Sequence, residues 1–293
     1  KPRRGSSAIP MTRFATCLLG EAETLLLATD GSHYSDGAVQ EALFFAQACA
    51  ARVVVLHVVK VRAESQKSAD GRVRLMRQEV EPYLDEVRRM ASDAGVALEV
   101  VVVGASRPEE AIIEQARLRR ADVILMGRHG AAGRLSLLVG RRTSRVLELG
   151  FPKVLVVPKN FIISGARVLL VVDERAGTEK AVLEAIGLGR KNATLQELTV
   201  VAVAKKERRL ARLAALAEEA RVRIEASGSD ATCQVLTLLG DPVTEIVATA
   251  RQRSCDMILI AGCGRRCLTG LFFGRTTRQV AGRAHCAVLV VNP

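Results

Sequence analysis

The sequence is poor in aromatic side chains, with no tryptophan, two tyrosines and seven phenylalanines among its 293 residues. Proteins that bind single-stranded nucleic acid stack its bases on such side chains, so nucleic acid is an unlikely partner. The sequence also contains no apolar run near the roughly 18 to 20 residues that a membrane-spanning helix needs. We therefore expect a soluble, cytoplasmic protein with no membrane partner.

The signatures of common catalytic sites are missing as well. The chain contains no G-x4-G-K-[ST] loop, no H-E-x-x-H metal motif and no G-x-S-x-G nucleophile turn. Apart from Asp30 and Asp173, no pair of carboxylates recurs in the two halves to hold Mg²⁺ or activate water. We therefore expect a binding protein rather than an enzyme, with no catalytic residue.

Cysteine gives little indication of a metal site or a disulfide framework. Seven cysteines are an odd number in a chain large enough to bury its own core, which favours reduced thiols. Cys263 and Cys267 form a C-x3-C pair, with Cys255 and Cys286 nearby in sequence. Without a second matched pair, inert buried thiols explain this spacing better than zinc or a redox sensor does. We expect no metal ligands.

An internal repeat is the most informative feature that the chain does contain. LMGRHGAAGRLSLLVGRRTSRV begins at Leu125, and LIAGCGRRCLTGLFFGRTTRQV begins 134 residues later. Each copy follows a short apolar run, keeps nine residues between two of its glycines (Gly130 and Gly140, Gly264 and Gly274) and leads into a helical pattern. A glycine-rich turn between a strand and a helix N-terminus exposes converging N–H groups, which is typical of phosphate binding.

The formal charge of +12 is concentrated around these two turns. Residues 123–147 contain five arginines and no acidic residue, and so do residues 258–285. A run of charge is usually only a solvated helix face. Two separate acid-free clusters at repeated glycine turns nevertheless favour an anionic ligand.

The segments around the turns predict two matching α/β units, because strands alternate with helices in both halves. The first strand of each half ends before an aspartate, Asp30 or Asp173. The first half contains a predicted helix from Arg72 to Ala94, and the second half a predicted helix from Lys206 to Ala226. We place most of a nine-residue length difference in residues 61–71. The predicted divisions are an N-terminal arm or tag at 1–22, a first domain at 23–160 and a second at 165–293.

These residues resemble the universal stress protein family, and their tandem layout resembles its two-domain members. The resemblance rests on the G-x2-G-x9-G spacing of Gly127, Gly130 and Gly140 after an apolar strand, together with Asp30. It covers nearly the whole chain from about residue 22. It implies that each domain is a five-stranded parallel sheet of order 3-2-1-4-5 with helices on both faces. It also implies an intrachain pseudo-dimer through the last strands, and a homodimer of chains.

Some members of that family bind ATP, so the resemblance implies ATP or another adenine nucleotide, with or without Mg²⁺, at the carboxyl ends of the strands. The contacts implied in the first half are Asp30, Val58, Met126, Gly127, His129, Gly130, Gly140, Arg141, Arg142 and Thr143. The contacts implied in the second half are Asp173, Val203, Gly264, Gly274, Arg275 and Thr276.

Two differences predict tighter binding in the first half, namely Ala261 and the lack of a second-half counterpart to residues 61–71, which could fold over the ligand. A further departure from the family pattern occurs in both halves. Arg141 and Arg275 stand where the family has Ser or Thr, and each either binds a phosphate or blocks the position where the phosphate would bind. Ala261 also adds a Cβ in the second half where the first half has Gly127. His57, within an apolar strand, is expected to be a packed core histidine rather than a catalyst.

Three functional hypotheses remain open. The favoured one is a nucleotide-binding stress or signalling protein whose ligand state tunes assembly or partner contacts. The second is a tandem scaffold that binds no nucleotide and acts through dimerisation. The third is a slow ATP hydrolase.

Overall fold

The computed structural model describes residues 19, 22–61, 66–129, 139–175, 177–262 and 273–293. Gly130 and Gly264 lie outside the described residues, as do Cys263 and Cys267. No helix within the described ranges is long and apolar enough to cross a membrane.

The first half alternates five strands with four helices. Its strands are β1 Thr24–Thr29, β2 Arg52–Lys60, β3 Leu98–Ala105, β4 Val123–Gly127 and β5 Lys153–Val157. Its helices are α1 Asp36–Cys49, α2 Gln66–Asp93, α3 Pro108–Leu118 and α4 Arg141–Leu149.

The second half repeats this order. Its strands are β6 Arg167–Val171, β7 Glu197–Ala204, β8 Thr232–Leu239, β9 Met257–Ala261 and β10 Ala287–Val291. Its helices are α5 Thr178–Lys191, α6 Leu210–Glu225, α7 Pro242–Gln252 and α8 Phe273–Arg283.

All ten strands form one sheet in the order β3-β2-β1-β4-β5-β10-β9-β6-β7-β8. Within each half the strands are parallel and follow the order 3-2-1-4-5, so the predicted fold class and strand order are confirmed. The last strands, β5 and β10, pair antiparallel and join the halves. This pairing is the one implied by the family resemblance.

The core consists of two apolar layers, one on each face of the sheet, and both layers run through the β5–β10 junction. One layer packs α1, α2, α5 and α6 against residues such as Leu155 and Leu289. The other packs α3, α4, α7 and α8 against Val156 and Val288. Strands covered on both faces must be apolar along their whole length, which explains the continuous Val, Leu and Ile runs.

Two predicted helix boundaries are wrong. Helix α2 begins at Gln66 rather than Arg72, so part of segment 61–71, where we placed most of the length difference, is helical. Among the described side chains of α2 the first buried one is Val80, so no buried apolar stripe marks its described first turns. The second-half helix begins at Leu210, after a 3₁₀ turn at Glu207–Arg209, rather than at Lys206.

The described cysteines are mostly inert. Burial raises the pKa of the Cys233 thiol to about 11 and that of Cys255 to about 12. Cys286 is also a free, buried thiol with a raised pKa. Cys49 is in a disulfide, so the expectation of reduced cysteines is wrong there. The described residues contain no group of three or more His, Cys, Asp or Glu side chains that could hold a metal ion.

Candidate functional site

A cleft of about 1070 Å³ opens at the carboxyl ends of β1, β2 and β4, between them and the start of α4. Strand order reverses between β1 and β4, and open α/β sheets bind ligands at such a switch point. One wall is apolar and includes Leu56, Val58, Ile112 and Met126. The sequence-predicted residues that line the cleft are Asp30, Val58, Met126, Gly127, His129, Gly140, Arg141, Arg142 and Thr143.

Asp30 organises the turn that follows β1. Its Oδ1 accepts hydrogen bonds from the backbone N–H of Ser32 at 3.1 Å and from the Ser32 hydroxyl at 2.6 Å. The Ser35 hydroxyl donates to the same oxygen at 3.4 Å. Gly31, with φ +75°, provides the left-handed backbone that the turn requires. Asp30 is therefore held with its carboxylate at the edge of the cleft.

Glycine at position 127 allows the end of β4 to approach the turn after β1. A Cβ at Gly127 would lie 2.9 Å from the carbonyl oxygen of Tyr34. In the second half the glycine lies on the other side of the equivalent contact. The strand ends in Ala261, and the turn contains Gly177, four residues after Asp173. A Cβ at Gly177 would lie 3.2 Å from that of Ala261. Ala261 alone therefore does not distort the second-half turn.

Helix α4 presents its N-terminus to the cleft. Gly140 is its N-cap, with φ −53° and ψ 147°, and among the described residues no side chain caps the first turn. The Gly140 N–H donates to the carbonyl of Arg128 at 2.8 Å, which fixes the entry into the helix. Arg141 and Arg142 follow, and both are exposed. Uncapped N–H groups and two arginines together suit a phosphate.

The hydroxyl of Thr143 anchors α4 to β4. Thr143 is buried and donates to the carbonyl oxygen of Gly127 at 3.0 Å. In the second half Thr277 donates to the carbonyl oxygen of Ala261 at 3.1 Å. The counterpart of Thr143 is therefore Thr277 rather than Thr276.

The two histidines near the cleft differ in their partners. His57 is buried, and its Nδ1–H donates to the carbonyl oxygen of Thr29 at 3.1 Å, as a packed histidine that joins β2 to β1. His129 lines the cleft, and its buried Nδ1 has no hydrogen-bond partner within the described residues. Burial lowers the pKa of both, and the charge of Arg128 lowers that of His129 further. Both imidazoles are therefore neutral at pH 7.

We expect His57 to make the fold less stable in mild acid. Burial lowers its pKa below 6.5, so as the pH falls through 6.5 the unfolded chain takes up a proton before the folded chain does. Stability from this group is complete above pH 6.5 and declines below it. Urea unfolding at pH 7.5 and 5.5 measures the effect. His57→Gln should reduce the pH dependence. An unchanged pH dependence in His57→Gln would contradict this role.

In the second half, Arg175 follows Asp173 at the position that Ser32 has relative to Asp30. Its guanidinium lies 2.5 Å from Oδ2 of Asp173 and donates to the Thr277 hydroxyl at 3.3 Å. The Thr178 hydroxyl donates to Oδ1 of Asp173 at 2.8 Å. The first half has Ser32 at the position of Arg175. The second-half aspartate is thus neutralised by a side chain that is only 13% exposed.

Of the remaining residues predicted at the second-half site, some lie in the second half as expected and one lines the first-half cleft. Val203 lies near the end of β7 in register with Leu238, as Val58 lies near the end of β2 in register with Val103. Gly274 lies in the first turn of α8. Arg275, predicted at the second-half site, lines the first-half cleft instead.

Sequence reasoning missed this contribution of α8 to the first-half cleft. Arg275, Arg278 and Gln279 all line it. The antiparallel pairing of β5 with β10 brings α4 and α8 together on one face of the sheet. The predicted pairing of the last strands was the only signal that could have located these side chains.

Comparison with known proteins identifies relatives of each half. The model of the universal stress protein family matches residues 21–158 and again residues 166–292. A universal stress protein of Methanocaldococcus jannaschii is 31% identical over 139 residues, which are 46% of this chain and 81% of that protein. One from Thermus aquaticus is 31% identical over 129 residues, 43% of this chain and 90% of that protein.

A solved structure shares the whole tandem fold. The crystal structure of a universal stress protein from Archaeoglobus fulgidus matches with a TM-score of 0.74 at 22% identity. The match covers 94% of this chain and 97% of that chain. At this identity the likeness concerns the fold.

Proposed function

The chain belongs to the universal stress protein family, and from this premise we propose that its first half binds an adenine nucleotide whose presence tunes assembly or partner contacts. One observation carries the proposal. The first-half cleft joins an apolar wall to an uncapped helix N-terminus with arginines beside it. An apolar slot suits a base, and the helix end suits phosphates.

The apolar wall supports a position for the adenine. Leu56, Val58, Ile112 and Met126 can cover the faces of the base. Asp30 also lines the cleft, where a carboxylate can accept hydrogen bonds from ribose hydroxyls. These residues support binding of the base and the sugar at the switch point of the sheet.

The start of α4 supports a position for the phosphates. Arg141 and Arg142 are exposed and have no acidic partner within the described residues. Because Arg141 is exposed, it is better placed to bind a phosphate than to block the phosphate position. Micromolar affinity needs only about 8 kcal/mol, which several charge-assisted hydrogen bonds together with burial of the base can supply.

We propose binding rather than rapid hydrolysis. Among the described residues that line the cleft, the carboxylates are Asp30 and Glu148. Asp30 accepts three hydrogen bonds from its own turn, and Glu148 forms ion pairs with Arg145 and Arg278. Neither is positioned as a general base for an attacking water, so hydrolysis should be slow.

We further propose that the second half acts as a scaffold and binds no nucleotide. The ion pair of Arg175 with Asp173 supports this role, because a ligand would have to displace a largely buried guanidinium. The edges of β5 and β10 are already paired with each other. A homodimer of chains would therefore use a different surface, and nucleotide at the first half is proposed to influence that contact.

We expect Asp30→Ala to weaken ATP binding about tenfold, because a hydrogen bond to a charged group contributes about 1.5 to 3 kcal/mol. Asp173→Ala is the matched control and should leave the affinity unchanged. Isothermal titration calorimetry on the full chain measures both. Equal losses in the two variants would show that Asp30 has no specific role. A parent chain that binds no adenine nucleotide would refute the proposed function.

A further inference from the structure

The first part of α8 belongs to the second half of the chain but faces the first-half cleft. Its side chains Arg275, Arg278 and Gln279 line that cleft. Arg278 donates a hydrogen bond to Oγ of Ser144 at 3.4 Å and forms an ion pair with Glu148, and both of these partners lie on α4. The two helices therefore meet through polar side chains at the wall of the cleft.

The other end of α8 is also fixed to the first half. The guanidinium of Arg128, which directly follows β4, donates a hydrogen bond to the carbonyl oxygen of Ala284, just after α8. The backbone N–H of Arg128 donates to the carbonyl oxygen of Val157 at the end of β5 at 3.0 Å. Because both ends of α8 contact the first half, its arginines have a defined position relative to the cleft.

Positive charge dominates the part of the cleft between α4 and α8. The described residues that line the whole cleft include five arginines and two carboxylates. The arginines are Arg141, Arg142, Arg145, Arg275 and Arg278. Of the two carboxylates, Asp30 lies in the turn after β1, so Glu148 is the acidic residue of this part. The excess suits a ligand with several negative charges.

We propose that Arg275 and Arg278 bind the terminal phosphates of the nucleotide, so that the second half makes the first-half site select a triphosphate over a monophosphate. This inference rests on the proposed function. Ser144, which Arg278 contacts, lies four residues after Gly140, about 6 Å along the helix axis. A phosphate at the start of α4 would lie about one helical turn from Ser144, so the phosphates that follow it would meet Arg278 if they extend along α4.

Glu148 competes with the terminal phosphates for Arg278. It accepts from Arg145 at 2.7 Å and also pairs with Arg278. A triphosphate would draw the Arg278 guanidinium away from this carboxylate and would be repelled by it. Glu148→Gln should therefore raise the affinity for ATP severalfold and leave the affinity for AMP unchanged.

The test is a calorimetric titration of the full chain with ATP, ADP and AMP. Arg275→Gln and Arg278→Gln should each lower the affinity for ATP about tenfold, as expected for the loss of a charge-assisted contact, and the affinity for AMP less than twofold. Arg283→Gln is the matched control, because Arg283 lies on α8 outside the cleft lining. Circular dichroism checks that each variant is folded. Arg275 is exposed, so its replacement should not disturb folding. If Arg278→Gln does not fold, the ATP and AMP affinities of Arg275→Gln test the inference.

The outcomes separate this inference from the proposed function. A parent chain that binds ATP while Arg275→Gln and Arg278→Gln keep the parental affinity overturns the inference alone. Equal losses for ATP and AMP also overturn it, because the arginines would then not contact the terminal phosphates. A parent chain that binds none of the three nucleotides overturns both.

Discussion

Gly140→Asp is expected to lower the affinity for ATP at least about 100-fold while the protein stays folded. The new carboxylate would stand at the N-cap of α4, beside the proposed phosphate seat. Two unit charges about 4 Å apart near a protein surface interact by about 4 kcal/mol, and each 1.4 kcal/mol changes affinity tenfold. Asp is also a favourable N-cap residue, and Gly140 has an ordinary φ of −53°. The melting temperature should therefore stay the same or rise slightly.

Gly140→Asn is the matched control for this variant. Asn has nearly the same shape and is an equally good N-cap, but it carries no charge. We expect calorimetry to show a much smaller loss for Gly140→Asn, because its side chain competes for the same N–H groups but does not repel the phosphate. Equal affinities in the parent and in Gly140→Asp would contradict a phosphate at the start of α4. Equal losses in the Asp and Asn variants would indicate that bulk, rather than charge, disrupts the site.

Leu289→Ala is expected to lower the free energy of unfolding by about 2 to 5 kcal/mol, the usual range for a fully buried leucine. Leu289 is 0% exposed and pairs in register with Leu155, also 0% exposed, across the β5–β10 junction. Because both apolar layers continue through this junction, the two halves should unfold in a single transition. Leu289→Ala should shift this whole transition to lower urea concentration. Urea unfolding followed by circular dichroism measures the change.

Leu239→Ala provides the control for the junction. Leu239 ends β8 at the outer edge of the sheet and is 55% exposed, so its truncation should change stability by about 0.5 kcal/mol or less. A cost below about 1 kcal/mol for Leu289→Ala would mean that the junction adds little to stability. Two transitions, of which only one shifts, would show that the halves fold independently.

The strand order of both halves could be predicted only through the family resemblance. Each copy has an aspartate after its first strand and a glycine-rich turn after its fourth, and this repeated pattern resembles a family whose strand order is 3-2-1-4-5. Residues that are buried on both faces of a sheet leave continuous apolar runs in the sequence. The N-terminal turns of α2 could not be located in this way, because none of their described side chains from residue 69 to 79 is buried and their pattern resembles that of a polar loop.

The residues that line the first-half cleft were largely predictable, since they lie close to the recognised motif. Tighter binding by the first half stays a prediction, and Ala261 is a poor reason for it, because Gly177 accommodates its Cβ. The ion pair of Arg175 with Asp173 is the stronger reason. At position 175 the sequence shows only an arginine two residues after an aspartate, and whether that side chain turns inward depends on tertiary packing.

The residues that α8 adds to the first-half cleft were the hardest to predict. Arg275 and Arg278 are more than 130 residues from Arg141 and Ser144 in sequence, and they approach α4 only because β5 pairs with β10. A local motif assigns each arginine to its own half. The way in which the last strands pair determines which cleft it lines.

The most direct test of nucleotide binding by the first half alone is the stoichiometry of ATP binding to the full chain. Isothermal titration calorimetry at moderate salt gives the number of sites and the affinity in one experiment. We predict one site per chain, abolished by Gly140→Asp and unaffected by Asp173→Ala. Two equivalent sites, a single site lost in Asp173→Ala, or no binding to the parent chain would contradict the assignment of the ligand to the first half.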